Sequence, residues 1–283
     1  MWSDFFERSD HLHDMTKTIL ITGATDGIGK QTALDLARLG HVVWVHGRNA
    51  AKCDQTAHEI AEATGNPNLH TCIADFASLN SVAQLGRDLA TTLPRLDVLI
   101  NNAGVWMNER VTTVDGFETT FQVNHLAPFL LHHHLLPVLK RSAPARVVTV
   151  ASQLHKRRPP NLDDLQLTHD FTGFNAYSQS KVCNVLFAYG LSRRLDGSGV
   201  TSNALHPGII TTKLLWTGFN STANELREGS KTSVHLATAP ELESVTGKYF
   251  EPVHEDRSAE VTYDVNAQER LWRYSENALK RWI

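Results

Sequence analysis

The regular alternation of apolar strand patterns with helical patterns limits what this chain can fold into more than any other feature of its sequence. The strand patterns are short, nearly continuous apolar runs, and they lie at 17–22, 41–46, 69–75, 96–104, 145–152, 200–208 and 247–252. Helical patterns separate them, among them 28–40, 117–141, 175–195 and 264–281. Such strands are typical of a parallel sheet that helices cover on both faces. With right-handed crossovers, we predict one doubly wound α/β domain with about seven strands.

Composition disfavours several classes of function. The 283-residue chain has a formal net charge of −3, which gives no electrostatic reason to expect a nucleic acid partner. No apolar run approaches the ~18 residues of a membrane span, so we predict no integral membrane segment. The three cysteines are widely spaced and odd in number, which fits a reducing compartment, and we expect a cytoplasmic protein. Residues 1–15 precede the first strand. We predict that they form an extension, docked or loose, of a domain spanning 16–283.

A glycine-rich turn, "TGATDGIG" at 22–29, follows the first strand. In a doubly wound sheet this turn lies at the edge where ligands bind. The N-terminus of the next helix offers N–H groups and partial positive charge to a phosphate, and glycine lets the backbone approach it closely. Gly23, Gly27 and Gly29 have the spacing GxxxGxG, which differs from the GxGxxG fingerprint of many dinucleotide sites. Taken alone, the turn could be either a dinucleotide site or merely a tight turn.

Further motifs follow in a fixed order: "NNAG" at 101–104, Ser152, "YSQSK" at 177–181 and "HPGIITT" at 206–212. Together with the glycine turn they resemble the short-chain dehydrogenase/reductase family over residues 16–275. Two further features resemble the retinol dehydrogenase and WW-domain oxidoreductase branch of that family. They are the 25-residue gap between Ser152 and Tyr177 and the C-terminal segments "GKYFEP" and "LWRYSE". The resemblance implies a Rossmann-type fold and hydride transfer between a nicotinamide and a carbonyl or alcohol.

Reduction of a carbonyl creates an alkoxide that needs a proton, and Tyr177 is the natural donor. Lys181 lies four residues further on, so both side chains share one helix face. Its ammonium, together with the positive charge of an oxidised nicotinamide, favours the phenolate. An ordinary surface pair of the same spacing is the alternative. Ser152 ends the fifth strand, where its hydroxyl can position the substrate oxygen. Asparagine is unfavourable inside a helix, so Asn124 predicts a local distortion. The resemblance gives Asn124 a place in the proton relay from Lys181.

The nucleotide preference rests on "HGRN" at 46–49. Enzymes that use NAD often carry an acid at the end of the second strand, which binds the ribose 2′-OH. Gly47 occupies that place here, and Arg48 can bind a 2′-phosphate, although it could also be an exposed loop arginine. We therefore predict NADP(H) as the preferred cofactor. Asp26 lies where NADP-preferring relatives often carry a base, which keeps NAD(H) possible.

The resemblance implies the remaining cofactor contacts. The predicted cofactor-binding residues are Gly23, Thr25, Asp26, Gly27, Ile28, Gly29, Arg48, Asp75, Phe76, Asn102, Ala103, Gly104, Tyr177, Lys181, Pro207, Gly208, Ile209 and Thr212. Asp75 would hold the adenine amino group, and residues 207–209 would border the nicotinamide. Asp75 could instead cap a strand end, and Thr212 could cap a helix.

The family resemblance places a substrate lid near 213–235, where Leu214, Leu215, Trp216 and Phe219 are apolar. Val105, Trp106, Leu154 and Phe174 are candidates for the other walls. We therefore expect a bulky or apolar aldehyde, ketone or alcohol as substrate, although Trp216 could instead lie at a subunit interface.

Three further expectations complete the sequence reading. Three consecutive histidines at 132–134 point ~100° apart on a helix and cannot converge on one ion, so we predict no metal site. The helices at 117–141 and 175–195 have more apolar positions than one sheet face covers, and relatives pair through them. We therefore expect a homodimer or homotetramer.

The alternatives to a carbonyl reductase are a nucleotide-sensing regulator without catalysis and an enzyme that reduces C=C bonds.

Overall fold

The structure is a computed structural model that describes residues 16–211, 213–219 and 224–283, except the side chain of residue 219. The predicted N-terminal extension, Thr212 and the Phe219 side chain lie outside the described residues. Within them, a single sheet of eight strands forms the centre of the domain. The predicted doubly wound α/β fold is thereby confirmed, with one strand more than expected.

The strands follow the order β3-β2-β1-β4-β5-β6-β7-β8 across the sheet. Their bounds are Thr18–Ile21 for β1, Val42–Gly47 for β2, Leu69–Ile73 for β3, Val98–Asn101 for β4, Ala145–Val150 for β5, Val200–Leu205 for β6, Tyr249–Phe250 for β7 and Glu255–Asp256 for β8. All neighbouring pairs are parallel except β7 and β8. The strand order reverses between β1 and β4, which opens a crevice at the carboxyl ends of these strands.

Helices connect the parallel strands. They are α1 (Gly27–Arg38), α2 (Ala50–Thr64), α3 (Leu79–Thr92), α4, α5 (Gly173–Arg194), α6 (Lys213–Phe219), α7 (Leu226–Thr238) and α8 (Val265–Leu279). The helical run that we call α4 comprises Thr119–Phe121, a π-helical segment Gln122–Leu126 and Ala127–Arg141. These bounds agree closely with the helical patterns in the sequence.

The side chains of the central strands alternate between two separate cores. Ile19 and Ile21 of β1 belong to the core beneath α1, α2 and α7, whereas Leu20 belongs to the core beneath α3, α4, α5 and α8. All four residues of β1 are buried. The nearly continuous apolar pattern of these strands therefore reflects burial on both faces, as the sequence indicated.

The C-terminal helix α8 covers the apolar faces of α4 and α5. Trp272 packs its ring against Phe129 of α4 and Phe187 of α5, at centroid distances of 4.8 and 6.0 Å. Ser275 forms a 2.8 Å hydrogen bond with the buried His125 of α4. The surplus of apolar positions on α4 and α5 is thus largely covered within one chain, which corrects our reason for expecting an oligomer. The oligomeric state itself stays a prediction.

A buried arginine ties α7 to the sheet. Arg146 of β5 is 5% exposed, and its guanidinium donates to the carbonyls of Leu236 and Ala239 at 2.9 and 2.8 Å. These groups lie at the C-terminus of α7, where helix carbonyls have no partner within the helix.

We expect Arg146→Met to lower the free energy of unfolding by roughly 2 kcal/mol, because two buried carbonyls lose a charged donor. Urea denaturation measures this change. Arg38→Met is the matched control: Arg38 pairs with Asp35 on the exposed side of α1, and its loss should cost less than about 1 kcal/mol. Equal losses for the two variants would contradict the stabilising role of Arg146.

Candidate active site

A cleft of about 820 Å³ follows the carboxyl edge of the sheet where the strand order reverses. Its walls contain nearly all of the predicted site residues. From the predicted set, the cleft is lined by Gly23, Thr25, Asp26, Gly27, Ile28, Gly29, Arg48, Asp75, Phe76, Asn102, Ala103, Gly104, Ser152, Tyr177, Lys181, Pro207, Gly208 and Ile209. Residues that are up to 186 positions apart in the chain, Gly23 to Ile209, therefore share one cavity.

The glycine turn has the close packing that its composition predicts. A Cβ atom on Gly29 would lie 2.3 Å from the Gly23 carbonyl oxygen and 2.4 Å from Asn102 Nδ2. Asn102 Nδ2 in turn donates to the carbonyls of Thr22 and Gly23, at 2.8 and 3.2 Å. Gly23 also has φ +65°, a conformation that favours glycine. The turn and the end of β4 are thus packed so closely that only glycine fits.

The helix α1 begins at Gly27, directly at this turn, with Asp26 as its N-cap. Asp26 Oδ1 accepts from the Gly27 N–H at 2.9 Å. The N–H groups and the positive end of the helix dipole therefore face the cleft, which is the arrangement that binds a phosphate. The shape of the cleft and the cradle at Gly29 fit a dinucleotide.

His46, near the end of β2, contacts the glycine turn. Its Nδ1 accepts from the Gly23 N–H at 3.1 Å, and its ring packs on Phe76 at 4.6 Å. Burial lowers the pKa of His46 to about 4, so the imidazole is neutral at pH 7. The sequence motifs did not identify His46 as a residue of the site, although its position near a strand end could have indicated it. Asp75 lines the same wall, and its Oδ1 accepts from the Ala77 N–H at 2.9 Å, so it also caps the strand end.

Charged side chains surround the cleft near the end of β2. Arg48 is exposed at its wall. Asp26 forms ion pairs with Lys213 at 2.5 Å and with Lys52 at 3.6 Å. The hydrogen bond from Lys213 lowers the pKa of the Asp26 carboxyl, which is therefore ionised at pH 7. A Cβ on Gly47 would lie 2.6 Å from Thr25 Cγ2, so no acidic side chain fits at that position without a shift.

The catalytic candidates lie together at the other end of the cleft. Tyr177 and Lys181 are on one face of α5, with Lys181 Nζ 5.4 Å from the centre of the Tyr177 ring. Lys181 is 3% exposed, and its Nζ donates to the Val150 carbonyl at 2.9 Å. Ser152, two residues further on, forms a side-chain hydrogen bond with Tyr177. The motifs that resemble the family therefore identified three side chains that line the same cleft.

In the protein alone, burial dominates the electrostatics of Tyr177. Burial raises the pKa of the Tyr177 phenol, and the hydrogen bond with Ser152 lowers it only in part. Burial also lowers the pKa of Lys181 to about 8. Lowering of the Tyr177 pKa by Lys181 together with an oxidised nicotinamide stays a prediction. Both groups are desolvated, and desolvation disfavours the charged form of each.

The predicted distortion at Asn124 is confirmed, because Asn124 lies in the π-helical segment of α4. Its side chain is fully buried. Oδ1 accepts from the Val105 N–H at 2.8 Å, while Nδ2 donates to the Val105 carbonyl at 3.1 Å and to Ser180 Oγ at 3.0 Å. Asn124 thus holds the loop after β4 against α5, behind the wall of the cleft rather than in it.

The apolar wall candidates divide into three groups. Leu154, Val105, Leu214 and Leu215 line the cleft, as predicted. Trp106 packs against Tyr177, with its ring centre 5.0 Å from that of the tyrosine. The other two lie further out, because Phe174 is 38% exposed and Trp216 is 57% exposed beside a smaller surface pocket.

The cleft wall contains further residues that the sequence motifs did not indicate, among them Met107, Gln153, Arg157 and Lys213. Arg157 belongs to a short basic run, 156–158, that has the composition of a solvated loop. Its neighbour Lys156 instead forms ion pairs with Glu251 at 3.2 Å and Asp256 at 2.8 Å. No sequence pattern indicated these contacts between distant segments.

The histidines at 132–134 point in different directions on α4. His132 is buried in the core, whereas His134 Nε2 forms a 2.9 Å hydrogen bond with the Trp282 carbonyl. Among the described residues, no group of three His, Cys, Asp or Glu side chains has an arrangement that could hold a metal ion. Within the same residues, none of the helices has both the length and the hydrophobicity required to cross a bilayer.

Comparison with known proteins agrees with this architecture. The family described as short chain dehydrogenase matches residues 17–223. Human retinol dehydrogenase 14 is 39% identical to this chain, with 92% of this chain and 85% of that protein covered. Human retinol dehydrogenase 13 is 42% identical, with coverages of 92% and 83%.

Two solved structures show the same fold. A Mycobacterium paratuberculosis protein has a TM-score of 0.78 and 31% identity, with 94% of this chain and 96% of that chain covered. A Burkholderia cenocepacia short chain dehydrogenase in complex with NADP has a TM-score of 0.68 and 25% identity, with coverages of 83% and 95%.

The chain belongs to the short chain dehydrogenase family. Its similarity to the retinol dehydrogenases places it in the branch of the family that contains them. It is therefore an oxidoreductase that acts on alcohol or carbonyl groups with a nicotinamide dinucleotide.

We expect Gly29→Ala to weaken NADPH binding by at least about tenfold, because the added Cβ pushes the glycine turn away from Asn102 and deforms the phosphate cradle. Titration of NADPH fluorescence measures the affinity. Gly190→Ala is the matched control, because a Cβ there has its nearest neighbour at 3.6 Å in the middle of α5. Unchanged affinity in the folded Gly29→Ala variant would contradict the assignment of the turn.

Proposed function

We propose that this protein is an NADP(H)-dependent oxidoreductase that interconverts apolar or bulky carbonyl compounds and their alcohols. One observation carries the proposal: Ser152, Tyr177 and Lys181 meet at one end of a cleft whose other end is the glycine turn. A phosphate cradle and a proton donor in one cavity are what hydride transfer to a carbonyl requires.

The residues that would hold the dinucleotide are distributed along the cleft. The glycine turn and the N-terminus of α1 would bind the pyrophosphate, and the wall at Asp75 and Phe76 would border the adenine. Pro207, Gly208 and Ile209 would border the nicotinamide ring. When bound, the nicotinamide donates or accepts the hydride.

In our proposal, Tyr177 and Ser152 act on the substrate oxygen. Ser152 donates a hydrogen bond that positions this oxygen, and the Tyr177 phenol gives it a proton during carbonyl reduction. In the reverse direction the phenolate accepts the proton of the alcohol. Because burial raises the pKa of Tyr177 in the protein alone, the phenol is protonated at pH 7 and ready to act as an acid.

Lys181 and Asn124 would support the return of the proton. A Cβ placed on Gly104 would lie 3.5 Å from Asn124 Oδ1 and 3.6 Å from Lys181 Nζ, so these two polar groups flank the same short stretch of backbone. With a pKa of about 8, Lys181 can lose and regain a proton near neutral pH. We therefore propose that Lys181 passes protons to Tyr177 and that Asn124 fixes the backbone beside it.

The apolar walls support the proposed substrate class. Val105, Leu154, Leu214 and Leu215 line the cleft together with Met107. Such a lining favours a substrate with an extended or bulky apolar body and one reactive oxygen. The names of the relatives, retinol and polyprenol dehydrogenases, are consistent with substrates of this kind.

The preference for NADP(H) rests on the charges near the end of β2. The lack of space at Gly47 removes the acid that would bind a free 2′-OH and repel a phosphate. Arg48 lines the cleft beside it, whereas Lys52 is paired with the ionised Asp26. The Arg48 guanidinium favours a 2′-phosphate over a hydroxyl.

We expect Tyr177→Phe to lower turnover by at least the ~10² typical of general acid–base catalysis, with NADPH affinity unchanged. A screen of aldehydes, ketones and enones with NADPH, followed by absorbance, supplies the substrate for this measurement. Tyr274→Phe is the control, since its hydroxyl accepts from Gln166 and is remote from the cleft. Near-normal turnover of Tyr177→Phe would show that another group donates the proton. Activity on enones alone would favour reduction of C=C bonds.

We expect Arg48→Ala to weaken NADPH binding by roughly tenfold or more and to leave NADH binding almost unchanged, because only NADPH carries the 2′-phosphate. Arg87→Ala is the control, because Arg87 is an exposed residue of α3 that contacts Gln84. Affinities for both cofactors follow from fluorescence titration. Equal affinity of the unmodified protein for NADPH and NADH would contradict the proposed preference.

A further inference from the structure

His155 lies three residues after Ser152 and is fully buried, with no exposed surface. It belongs to a short 3-10 turn, Gln153–Lys156, for which Ser152 is the N-cap. Both of its ring nitrogens have backbone partners. Nδ1 lies 2.6 Å from the Ser152 carbonyl oxygen, and Nε2 lies 3.1 Å from the Ala259 nitrogen.

These partners define the protonation of the ring. A backbone N–H can only donate, so Nε2 must be the acceptor, and a carbonyl can only accept, so Nδ1 must carry the proton. His155 is therefore a neutral imidazole of one tautomer. Burial lowers its pKa to about 4, which agrees with this assignment. A second proton on Nε2 would face the Ala259 N–H.

The hydrogen bond from His155 Nδ1 to the Ser152 carbonyl holds this serine just after the end of the sheet pairing. Pairing of β5 with β6 extends to Ala151, whose N–H donates to the Leu205 carbonyl at 2.7 Å. The next carbonyl, that of Ser152, accepts from both the backbone N–H of His155 at 3.1 Å and its Nδ1. The serine hydroxyl is thus anchored through its own backbone.

The bond to Ala259 connects this anchor with the helix that carries Tyr177. Ser258, next to Ala259, forms hydrogen bonds with Tyr189 of α5 at 2.9 Å and with Thr262 at 2.7 Å. The His155 ring also packs on Tyr249, with centroids 4.8 Å apart. Hydrogen bonds through residues 155, 258 and 259 thus join the backbone of Ser152 to α5.

We propose that His155 is a positioning residue that fixes the Ser152 hydroxyl relative to the Tyr177 hydroxyl. This inference rests on the proposed function, since it requires both hydroxyls to act on the substrate oxygen. The imidazole itself is enclosed and does not reach the substrate. Its effect on the reaction passes through Ser152, and small errors in such placement cost large factors in rate.

The test is a double-mutant cycle with Ser152→Ala. His155→Phe keeps the ring packing on Tyr249 and removes both hydrogen bonds. We expect it to lower kcat by ~10-fold to ~10²-fold while the NADPH affinity changes by less than about twofold. In the Ser152→Ala background, the same substitution should change kcat by less than about twofold, because the hydroxyl that it positions is already absent.

Additional variants keep the result interpretable if His155→Phe folds poorly. His155→Asn retains an amide that can donate to the Ser152 carbonyl, so it should recover part of the lost kcat. His134→Phe is the matched control, because it removes a histidine hydrogen bond to a backbone carbonyl far from the cleft and should leave kcat unchanged. Thermal unfolding and circular dichroism report on folding in each variant.

The outcomes separate the two proposals. If Ser152→Ala is impaired and His155→Phe has normal kcat, the positioning role is overturned and the proposed function stands. If the two substitutions lower kcat independently, His155 acts by another route and the inference is likewise overturned. If Ser152→Ala itself has normal kcat, the serine hydroxyl has no role in turnover. The proposed role of Ser152 and the positioning role of His155 are then both overturned.

Discussion

The contact between Gly29, the Gly23 carbonyl and Asn102 is the constraint on which the arrangement of the cleft depends. The notional Cβ at Gly29 would be 2.3 Å from that carbonyl, so α1 can start there only because the residue has no side chain. The Asn102 amide bridges the ends of β1 and β4, the two strands between which the sheet order reverses. Because the turn is closely packed at this point, the N-terminus of α1, with its partial positive charge, lies at the crevice.

The catalytic end depends on burial in a different way. Lys181 and Tyr177 lie on a helix of which 18 residues are buried, so neither can be charged without a large loss of hydration. Burial therefore raises the pKa of Tyr177 and lowers that of Lys181, so both shifts favour the neutral side chains. Lys181 donates its hydrogen bond to the Val150 carbonyl and not to a carboxylate.

Much of this site was predictable because its residue types are set by local constraints. Glycine is required where backbone approaches backbone, and a Tyr and a Lys four residues apart must share a helix face. An asparagine inside a helix indicated a local distortion, which the structure shows to be a π-helical segment. The substrate walls were predicted less well: Leu214 lines the cleft, whereas Trp216 of the same helix faces away from it. Helical spacing gives relative directions around one helix, but it does not tell which direction faces the cleft.

By itself, the sequence determined the order of strands and helices along the chain, because apolar periodicity follows from backbone geometry. The chemical groups that line one edge of the sheet were predicted from the order of motifs that resembles the family. Only the tertiary structure decided how those groups are held. The contacts of His155 with Ala259 and of Lys213 with Asp26 join residues 104 and 187 positions apart, and such contacts leave no periodic trace in a sequence. The packing of α8 on α4 and α5 also leaves no periodic trace in the sequence. The pKa shifts of Tyr177, Lys181 and His155 have burial by the whole domain as their main cause, which no local motif encodes.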